Sequence, residues 1–234
     1  MCIRDRFLCV GNDDDVKNII NGDDGIINYL KPGTILIDHT TTSAELPIEL
    51  NKSLHLKKVS FLDAPVSGGQ AGAESGILSV MVGGNKESYK NVKEIIGAYS
   101  KFIKYMGESG SGQLTKMVNQ IAIASLIQGL AESVNFSEES GLEPKDVLQV
   151  ISKGAAQSWQ MDNRWETMTK DEFDFGFAVD LMRKDLDIVE SEAAKLDVNI
   201  ETTKLINNFY RELQEMGGGD WDTSSLVKRI RKKT

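Results

Sequence analysis

The first half of the chain alternates short apolar runs with longer segments of mixed polarity. Runs this short and this apolar predict buried β-strands, because strands covered on both faces carry few polar positions. They lie at residues 7–10, 34–37, 59–62 and 77–82. The mixed segments predict helices at residues 16–29, 44–52 and 86–99, the first weakened by Gly22 and Gly25. Alternating buried strands and helices predict an α/β domain with a parallel sheet.

The second half lacks such runs and predicts helices. Residues 113–141 have almost no polar face in their first half, which predicts a helix that is buried all round. Further helices are predicted at residues 144–152, 179–195 and 202–216, with a last short one after Gly217. Residues 154–159 predict a loop that leads into an aromatic-rich segment with Trp165, Phe173, Phe175 and Phe177. Most of these aromatic residues are interpreted as packing positions.

The size of the chain allows two small domains. It has 234 residues and is 40% hydrophobic, enough for real cores. A joint rich in glycine and serine at residues 107–112 marks the boundary. We expect an α/β domain over residues 1–110 and an all-α domain over residues 111–234.

Charge and cysteine content narrow the class of partner. The net charge is −8 and the isoelectric point is about 4.9, which disfavours binding to nucleic acid or to a membrane surface, since both need a basic face. Cys2 and Cys9 are too close together for a disulfide framework and indicate a reducing, cytoplasmic compartment. The sequence contains no apolar run of the ~18 residues that span a bilayer, and no cluster of metal-ligand residues stands out.

The carboxyl ends of the predicted strands bring small and hydroxyl-bearing residues to one edge of the sheet. In open α/β sheets, ligands bind at this edge. Val10 and Gly11 follow the first strand, and Thr41 lies in the polar loop after the second. The Thr41 hydroxyl is either a ligand contact or an ordinary hydroxyl at a helix start. His39 is interpreted as a sheet-end histidine and not as a catalyst.

The third strand leads into the most glycine-rich stretch of the chain, residues 63–76. Pro65 ends the strand, since proline lacks the N–H group that a sheet needs. Ser67, Gly68 and Gly69 then place a hydroxyl beside two unhindered backbone N–H groups, which suits a carboxylate or another small anion. Taken alone, Ser-Gly-Gly is also compatible with a plain turn.

Three polar residues lie within the long apolar helix. Lys116, Asn119 and Gln120 are spaced i, i+3 and i+4 and therefore share one helix face. Burial lowers the pKa of a lysine toward values at which it exchanges protons near neutral pH. The alternative is a lysine whose ammonium group reaches solvent from the first helical turn, with Asn119 bonded to backbone.

Two of these motifs resemble signatures of the β-hydroxyacid dehydrogenases, a family that includes 3-hydroxyisobutyrate dehydrogenase, tartronate semialdehyde reductase and glyoxylate/succinic semialdehyde reductase. Asp-Ala-Pro-Val-Ser-Gly-Gly, which starts at Asp63, resembles the substrate-binding signature. Gly-x-Gly-x-x-x-Lys-x-x-Asn, from Gly110 to Asn119, resembles the catalytic signature. Gln120 stands where the family often has a second asparagine.

The resemblance implies roles for these residues. Lys116 is implied to be the general acid/base at the substrate oxygen. The residues implied to bind the substrate are Ser67, Gly68, Gly69 and Asn119.

A third segment, residues 177–186, resembles the family's run that ends in Lys-Asp-Leu or Lys-Asp-Met. Without the family, Lys184 and Asp185 are simply a charged helix face. The resemblance implies that Phe177 and Asp185 border the substrate. Asp-His-Thr-Thr-Thr at residues 38–42 also resembles the family's Asp-x-Ser/Thr-Thr segment. The implied cofactor-binding residues are Val10, Gly11, Thr41 and Lys184.

From residue 7 to the last helix, the resemblance implies an incomplete Rossmann-type parallel sheet domain, a long linking helix and an all-α domain. It implies hydride transfer between NAD or NADP and a small carboxylic-acid substrate, without a metal, in a homodimer or homotetramer. No Gly-x-Gly-x-x-Gly follows a first strand. We therefore expect roughly two βα units of the family domain to be absent, and residues 1–6 to be foreign sequence.

Two other functions stay open from the sequence. A dehydrogenase-like binding or scaffolding protein without turnover is compatible with the absent glycine loop. A phosphogluconate-type dehydrogenase has the same architecture but binds a larger phosphorylated acid, and the Asp63 signature favours the small-acid branch. The choice between NAD and NADP depends on a residue after the second Rossmann strand, which this sequence does not contain.

Overall fold

A computed structural model of the chain describes residues 5–231. The chain forms two compact units, Met1–Asn119 and Gln120–Thr234. Of the segment expected to be foreign, residues 1–4 lie outside the described residues, whereas Asp5 and Arg6 belong to the first strand.

The first unit contains a mixed sheet. Its strands are β1 (Asp5–Leu8), β2 (Ile35–Asp38), β3 (Ser60–Asp63), β4 (Val66–Ser67), β5 (Leu78–Gly84) and β6 (Ser100–Gly107). They are ordered β1-β2-β3-β5-β4, and β6 pairs with β5. Strands β1, β2 and β3 run parallel, as do β5 and β6, whereas β5 is antiparallel to β3 and β4. The predicted α/β class with a mainly parallel sheet is confirmed.

Apolar side chains cover both faces of this sheet. The helices of the unit are α1 (Asp13–Asn21), α2 (Glu45–His55), α3 (Gly69–Glu74) and α4 (Lys86–Gly97). Successive residues of a strand point to opposite faces, so Leu36 packs in one apolar layer while Ile35 and Ile37 pack in the other. Helices α1 and α2 complete the first layer, and α4 completes the second. Burial on both faces explains why the strand runs are so apolar.

The outer strands differ from the prediction. The first apolar run is too apolar to predict an edge strand, and this prediction is wrong. Within residues 5–231, β1 lies at one edge of the sheet, beside β2. It begins at Asp5, and Phe7 is 41% exposed, with its ring stacked on His39 at 5.9 Å between centroids. Strand β6 is not predicted from an apolar run, because exposed polar residues such as Lys101 and Lys104 interrupt its sequence.

Helix α5 (Ser111–Glu139) begins in the first unit and continues into the second. The second unit adds α6 (Pro144–Ile151), α7 (Trp159–Lys170), α8 (Val179–Lys195), α9 (Glu201–Glu215) and α10 (Leu226–Ile230). Its core surrounds two buried aromatic residues, Trp165 and Tyr210. The predicted long helix and helical C-terminal part are confirmed. Every helix within residues 5–231 is too short or too polar to cross a bilayer.

Two helical predictions need correction. A helix buried all round is wrong for one side of α5, where Val118 and Phe136 are 67% and 71% exposed. The opposite side, with Ile127 and Val134, is buried. Apolar content alone does not separate these cases, because an apolar side chain costs little at the surface. Helix α7 begins where the predicted loop ends, in an aromatic-rich segment for which no helix is predicted, and Ser158 caps its first turn.

We expect Leu62→Ala to destabilise the first unit by about 2–5 kcal/mol, because it leaves a cavity in the middle of β3. Leu62 is fully buried. Leu56→Ala is the matched control, since Leu56 is 86% exposed and its loss should cost no more than about 0.5 kcal/mol. Urea unfolding measures both changes. Equal midpoints for the two variants would contradict a central position for β3.

Candidate active site

Lys116 lies in the second turn of α5, and its Nζ donates a hydrogen bond to the backbone oxygen of Val66 at 2.9 Å. The residue is only 7% exposed, which disfavours the alternative of a lysine that reaches out into solvent. Val66 directly precedes Ser67 in the chain. The bond therefore places the ammonium group beside the Ser-Gly-Gly segment.

That segment turns sharply where β4 ends. Gly68 and Gly69 have φ values of 137° and 62°, a region that residues with a Cβ rarely adopt. A Cβ on Gly68 would also lie 3.0 Å from Cδ2 of Leu78. Ser67 is half-buried and both glycines are exposed. The turn is thus open to a small ligand.

Asn119 follows Lys116 by about one turn of α5 and is half-buried. At this spacing the two side chains share one helix face. The first unit therefore brings Lys116 to the turn that carries Ser67, and it places Asn119 on the lysine's side of the helix.

The first turn of α5 is held by the carboxylate of Asp63. Its Oδ1 accepts the N–H of Gly110 at 2.9 Å, and its Oδ2 accepts the N–H of Gln113 at 3.1 Å. An anion is favourable here because N–H groups at a helix start lack partners within the helix. Glycine at positions 83 and 112 makes room, since a Cβ on Gly83 or Gly112 would lie within 2.7 Å of a carboxylate oxygen.

Gln113 connects this first turn to the loop after β2. Its Nε2 donates to the backbone oxygen of Thr40 at 2.7 Å, and its Oε1 accepts the N–H of Thr42 at 3.1 Å. The hydroxyl of Thr40 in turn accepts the N–H of Val10 at 3.0 Å. Hydrogen bonds therefore link the ends of β1 and β2 to the start of α5.

Burial perturbs two carboxyl groups at these strand ends. Loss of hydration raises the pKa of Asp38 to about 6, against the opposing effect of its hydrogen bonds from Thr40. The same cause raises the pKa of Asp63 to about 6, although the N–H groups of Gly110 and Gln113 oppose it. Both groups are therefore mostly ionised at pH 7 and take up protons a little below it.

The predicted cofactor residues of the first unit lie at the carboxyl ends of β1 and β2. Val10, Gly11 and Thr41 are all half-buried. The N–H of Gly11 bonds to Oδ2 of Asp15 at 3.1 Å, so this amide, like that of Val10, is engaged within the chain. Small and hydroxyl-bearing residues at neighbouring parallel strand ends fit a dinucleotide, which binds at this edge of α/β sheets.

His39 lies at the same end of the sheet. Its Nδ1 is 2.7 Å from the backbone oxygen of Ala64 and its Nε2 is 2.8 Å from the hydroxyl of Tyr99. Burial lowers the pKa of His39, which favours the neutral ring. Both ring nitrogens have protein partners, in agreement with a sheet-end role. Across residues 5–231, His, Cys, Asp and Glu form no group of three or more that could hold a metal ion.

The remaining predicted site residues lie in the second unit, on or just before α8. Asp185 is 2% exposed, and one of its oxygens accepts a hydrogen bond from Nε2 of Gln120 at 2.7 Å. Nζ of Lys184 lies 3.0 Å from the other oxygen. Phe177 is half-buried, and its N–H donates to Oδ2 of Asp222 at 2.9 Å. The unit thus brings Lys184, Asp185 and Gln120 together and holds Phe177 through Asp222.

Two family models together match most of the chain. Residues 110–230 match the family model described as NAD-binding of NADP-dependent 3-hydroxyisobutyrate dehydrogenase. Residues 3–107 match the model described as the NAD binding domain of 6-phosphogluconate dehydrogenase. An uncharacterized oxidoreductase of Shewanella frigidimarina is 51% identical over 97% of this chain and 78% of its own length.

Two further relatives carry functional names. The 2-hydroxy-3-oxopropionate reductase of Escherichia coli is 31% identical over 96% of this chain and 77% of its own length. The crystal structure of 3-hydroxyisobutyrate dehydrogenase from Salmonella typhimurium superposes with a TM-score of 0.88 at 25% identity, over 97% of this chain and 79% of that one. Sequence and fold therefore point to the same group of enzymes.

The fold and these matches define an NAD(P)-dependent oxidoreductase with an α/β part and a helical part. More specifically, the chain belongs to the β-hydroxyacid dehydrogenase family, as its motifs imply. NAD or NADP is its cofactor.

The sequence motifs assign no structural role at the site to Asp63 or Gln113. A signal for Asp63 exists, because α5 begins next to Gly110, which has no side chain to cap a helix. A buried acid elsewhere in the chain can supply that acceptor. Gln113 offers no such signal, because a glutamine in a first helical turn is equally at home on the surface.

We expect Asp38→Asn to remove one pH dependence of stability. The pKa of Asp38 is about 6 in the folded chain, above its ordinary value of 3.8. The folded state therefore holds more protons between these values, and the free energy of unfolding falls as pH rises from about 4 to about 6. The fall amounts to about 3 kcal/mol. It levels off above this range.

Urea unfolding between roughly pH 4 and pH 8 tests this, as the difference between the wild type and the variant at each pH. Asp24→Asn, which changes an exposed carboxylate, is the control. A wild type that gains stability over the variant as pH rises would contradict the sign.

Proposed function

We propose that this chain transfers a hydride between NAD(P)H and a small 3-hydroxy acid, or the matching semialdehyde or 2-oxo acid, with Lys116 as the general acid/base. The observation that carries the proposal is the 2.9 Å hydrogen bond from Nζ of Lys116 to the oxygen of Val66. It sets a nearly buried proton donor beside a turn suited to a carboxylate. NAD or NADP supplies or accepts the hydride.

Lys116 moves the proton that accompanies the hydride. In the reductive direction its ammonium group donates to the oxygen of the former carbonyl, where negative charge develops. In the oxidative direction its neutral amine takes the hydroxyl proton. The Val66 oxygen orients Nζ in both forms, because an ammonium group and an amine can both donate to it.

The turn after β4 binds the carboxylate end of the substrate. Ser67 supplies a hydroxyl donor, and the glycines at positions 68 and 69 let a ligand approach the backbone closely. Asn119 orients the substrate oxygen or its carboxylate from α5. The family resemblance implies that Phe177 and Asp185 border the substrate.

The roles proposed for the cofactor-binding residues follow the family resemblance. Val10, Gly11 and Thr41 contact it at the strand ends, with Thr41 on the nicotinamide side. Lys184 contributes a positive charge from α8.

The small-acid class is favoured over a larger phosphorylated acid. A relative at 31% identity is named for 2-hydroxy-3-oxopropionate, a three-carbon acid. The Asp63 segment also has the sequence of the small-acid branch. We propose a cytoplasmic homodimer or homotetramer, for which the exposed apolar side of α5, with Val118, Leu126 and Phe136, offers a surface.

We expect Lys116→Met to lower kcat by roughly 10² to 10⁴-fold, because the reacting oxygen loses its proton donor. Affinity for NADH or NADPH should stay within a few-fold of wild type. The assay follows the absorbance of reduced nicotinamide with 2-hydroxy-3-oxopropionate, 3-hydroxyisobutyrate, succinic semialdehyde and glyoxylate. Lys104→Met is the control, since Lys104 is exposed on β6.

Each outcome of this experiment has a clear meaning. Full turnover by Lys116→Met would remove Lys116 from the mechanism. A wild-type chain that binds NADH or NADPH in a fluorescence titration but converts none of the acids would favour a binding or scaffolding protein. Turnover of 6-phosphogluconate alone would favour the larger-acid alternative.

We expect Ser67→Ala to raise KM for the acid by roughly 10- to 100-fold, because a hydrogen bond to a charged group contributes about 1.5–3 kcal/mol. The affinity for the reduced cofactor should not change. Ser75→Ala is the matched control, an exposed serine just after α3. A KM unchanged by Ser67→Ala would place the carboxylate elsewhere.

A further inference from the structure

Gln113 is buried at the first turn of α5 and contacts the loop of residues 40–42 with both ends of its amide. The oxygen of Thr40 and the N–H of Thr42 are its partners, at 2.7 and 3.1 Å. Thr41 lies between these two residues, and Lys116 follows Gln113 by less than one helical turn. The amide therefore joins the loop assigned to the cofactor to the helix that carries the acid/base.

An amide is the side chain that fits this place. It offers one group that donates and one that accepts, and each meets its complement in the backbone of the loop. Gln113 and Thr42 are 0% and 1% exposed, and Thr40 is 2% exposed. Water is therefore a poor substitute for the amide, and losing it leaves a buried donor and a buried acceptor without their present partners.

The position of this side chain is itself fixed from outside the loop. The N–H of Gln113 donates to Asp63 at the end of β3. This bond holds the backbone of Gln113 in place independently of the loop of residues 40–42. On the far side, the hydroxyl of Thr40 receives the N–H of Val10 from the end of β1. Gln113 is thus the direct link between the loop and the start of α5.

We propose that Gln113 is a positioning residue that sets the loop of residues 40–42 relative to Lys116, and so sets the nicotinamide relative to the proton donor. This inference rests on the proposed roles of Thr41 and Lys116. Hydride and proton reach adjacent atoms of one carbonyl group, so their donors need a defined separation. A misplacement of about 1 Å at a reacting centre costs up to about 100-fold in rate.

A pair of substitutions tests the amide specifically. Gln113→Leu removes both hydrogen bonds. Gln113→Glu has the same shape, and in its protonated form it again offers one donor and one acceptor. In its ionised form it accepts from Thr42 but confronts the oxygen of Thr40 with a second negative atom.

The charges around position 113 favour the protonated form of the Gln113→Glu side chain. Asp38 at the end of β2 and Asp63 at the end of β3 oppose a further negative charge, as does Asp13 on α1, which bonds to Ser43. Lys116 on the same helix has the opposite effect, because its positive charge favours the ionised carboxylate. Burial adds to the acidic neighbours, so protonation falls within a range that can be assayed.

We expect kcat of Gln113→Leu to be about 10- to 100-fold below wild type at every pH. For Gln113→Glu the ratio of its kcat to that of wild type should be equally low near pH 8 and should rise at least several-fold toward pH 5.5. A purely structural role would not give this recovery in one variant alone. Gln128→Leu is the control, a buried glutamine on α5 whose Nε2 bonds to Glu132.

A second readout does not need turnover. Amide hydrogen exchange of the cofactor-free chain, over peptides that cover residues 38–44, should be faster in Gln113→Leu than in wild type and unchanged in Gln128→Leu. Wild-type kcat in Gln113→Leu, or a Gln113→Glu ratio that is flat with pH, would overturn the proposal. Faster exchange in Gln113→Leu together with full turnover by Lys116→Met would instead show that the proposed function has failed while the hydrogen bonds of Gln113 hold.

Discussion

The helix that carries Lys116 starts without a capping side chain of its own, and the carboxylate of Asp63 supplies what is missing. Gly110 has no side chain, so the N–H groups of the first turn depend on acceptors from elsewhere. Burial works against the charge of Asp63, as its raised pKa of about 6 shows. The partial positive charge at the helix start offsets part of the hydration free energy that the carboxylate loses. Hydrogen bonds to a charged acceptor are also stronger than those to a neutral one. The ionised form therefore persists at pH 7.

Asp63 also opens the segment that contains the turn proposed to bind a carboxylate. Val66 follows Asp63 by three residues, and Lys116 follows Gln113 by three. The hydrogen bonds from Gln113 to Asp63 and from Lys116 to Val66 therefore close a small circuit of backbone and side chain. A lysine has a long flexible side chain, and such a circuit restricts it far more than burial alone would.

Local sequence pattern predicts the parts of this fold that depend on burial. The strands covered on both faces give apolar runs, and α5 shows as a long apolar stretch. The outer strand β6 is harder, because a strand with an exposed side has no distinctive run. The run at residues 7–10 does indicate β1, but the strand itself lies at Asp5–Leu8. Lys116 and Ser67 are predicted site residues because each lies in a motif of closely spaced residues. The family resemblance implies their roles.

Asp63 and Gln113 belong to a different kind of information. Their hydrogen bonds join residues that are 47 to 73 positions apart, and no spacing rule reaches that far. Their residue types are uninformative as well, since an acid at a strand end and a glutamine in a helix are ordinary. The carboxylate of Asp63 leaves one sign in the sequence, which is glycine at positions 83 and 112. Only the structure explains these two glycines, because a Cβ at either position would overlap with that carboxylate.

A lysine that acts in both directions of a reaction has to hold a proton and also release it. The charge of a hydrogen-bond acceptor beside it affects this balance. A carboxylate partner would stabilise the ammonium form and hold its proton. The backbone oxygen of Val66 is a neutral acceptor, and it orients Nζ without adding a full negative charge. Because Val66 directly precedes Ser67, a displacement of this turn also moves the acceptor of the lysine's hydrogen bond. In the proposed mechanism, Lys116 and a carboxylate held at the turn therefore keep their relative geometry as long as this hydrogen bond is intact.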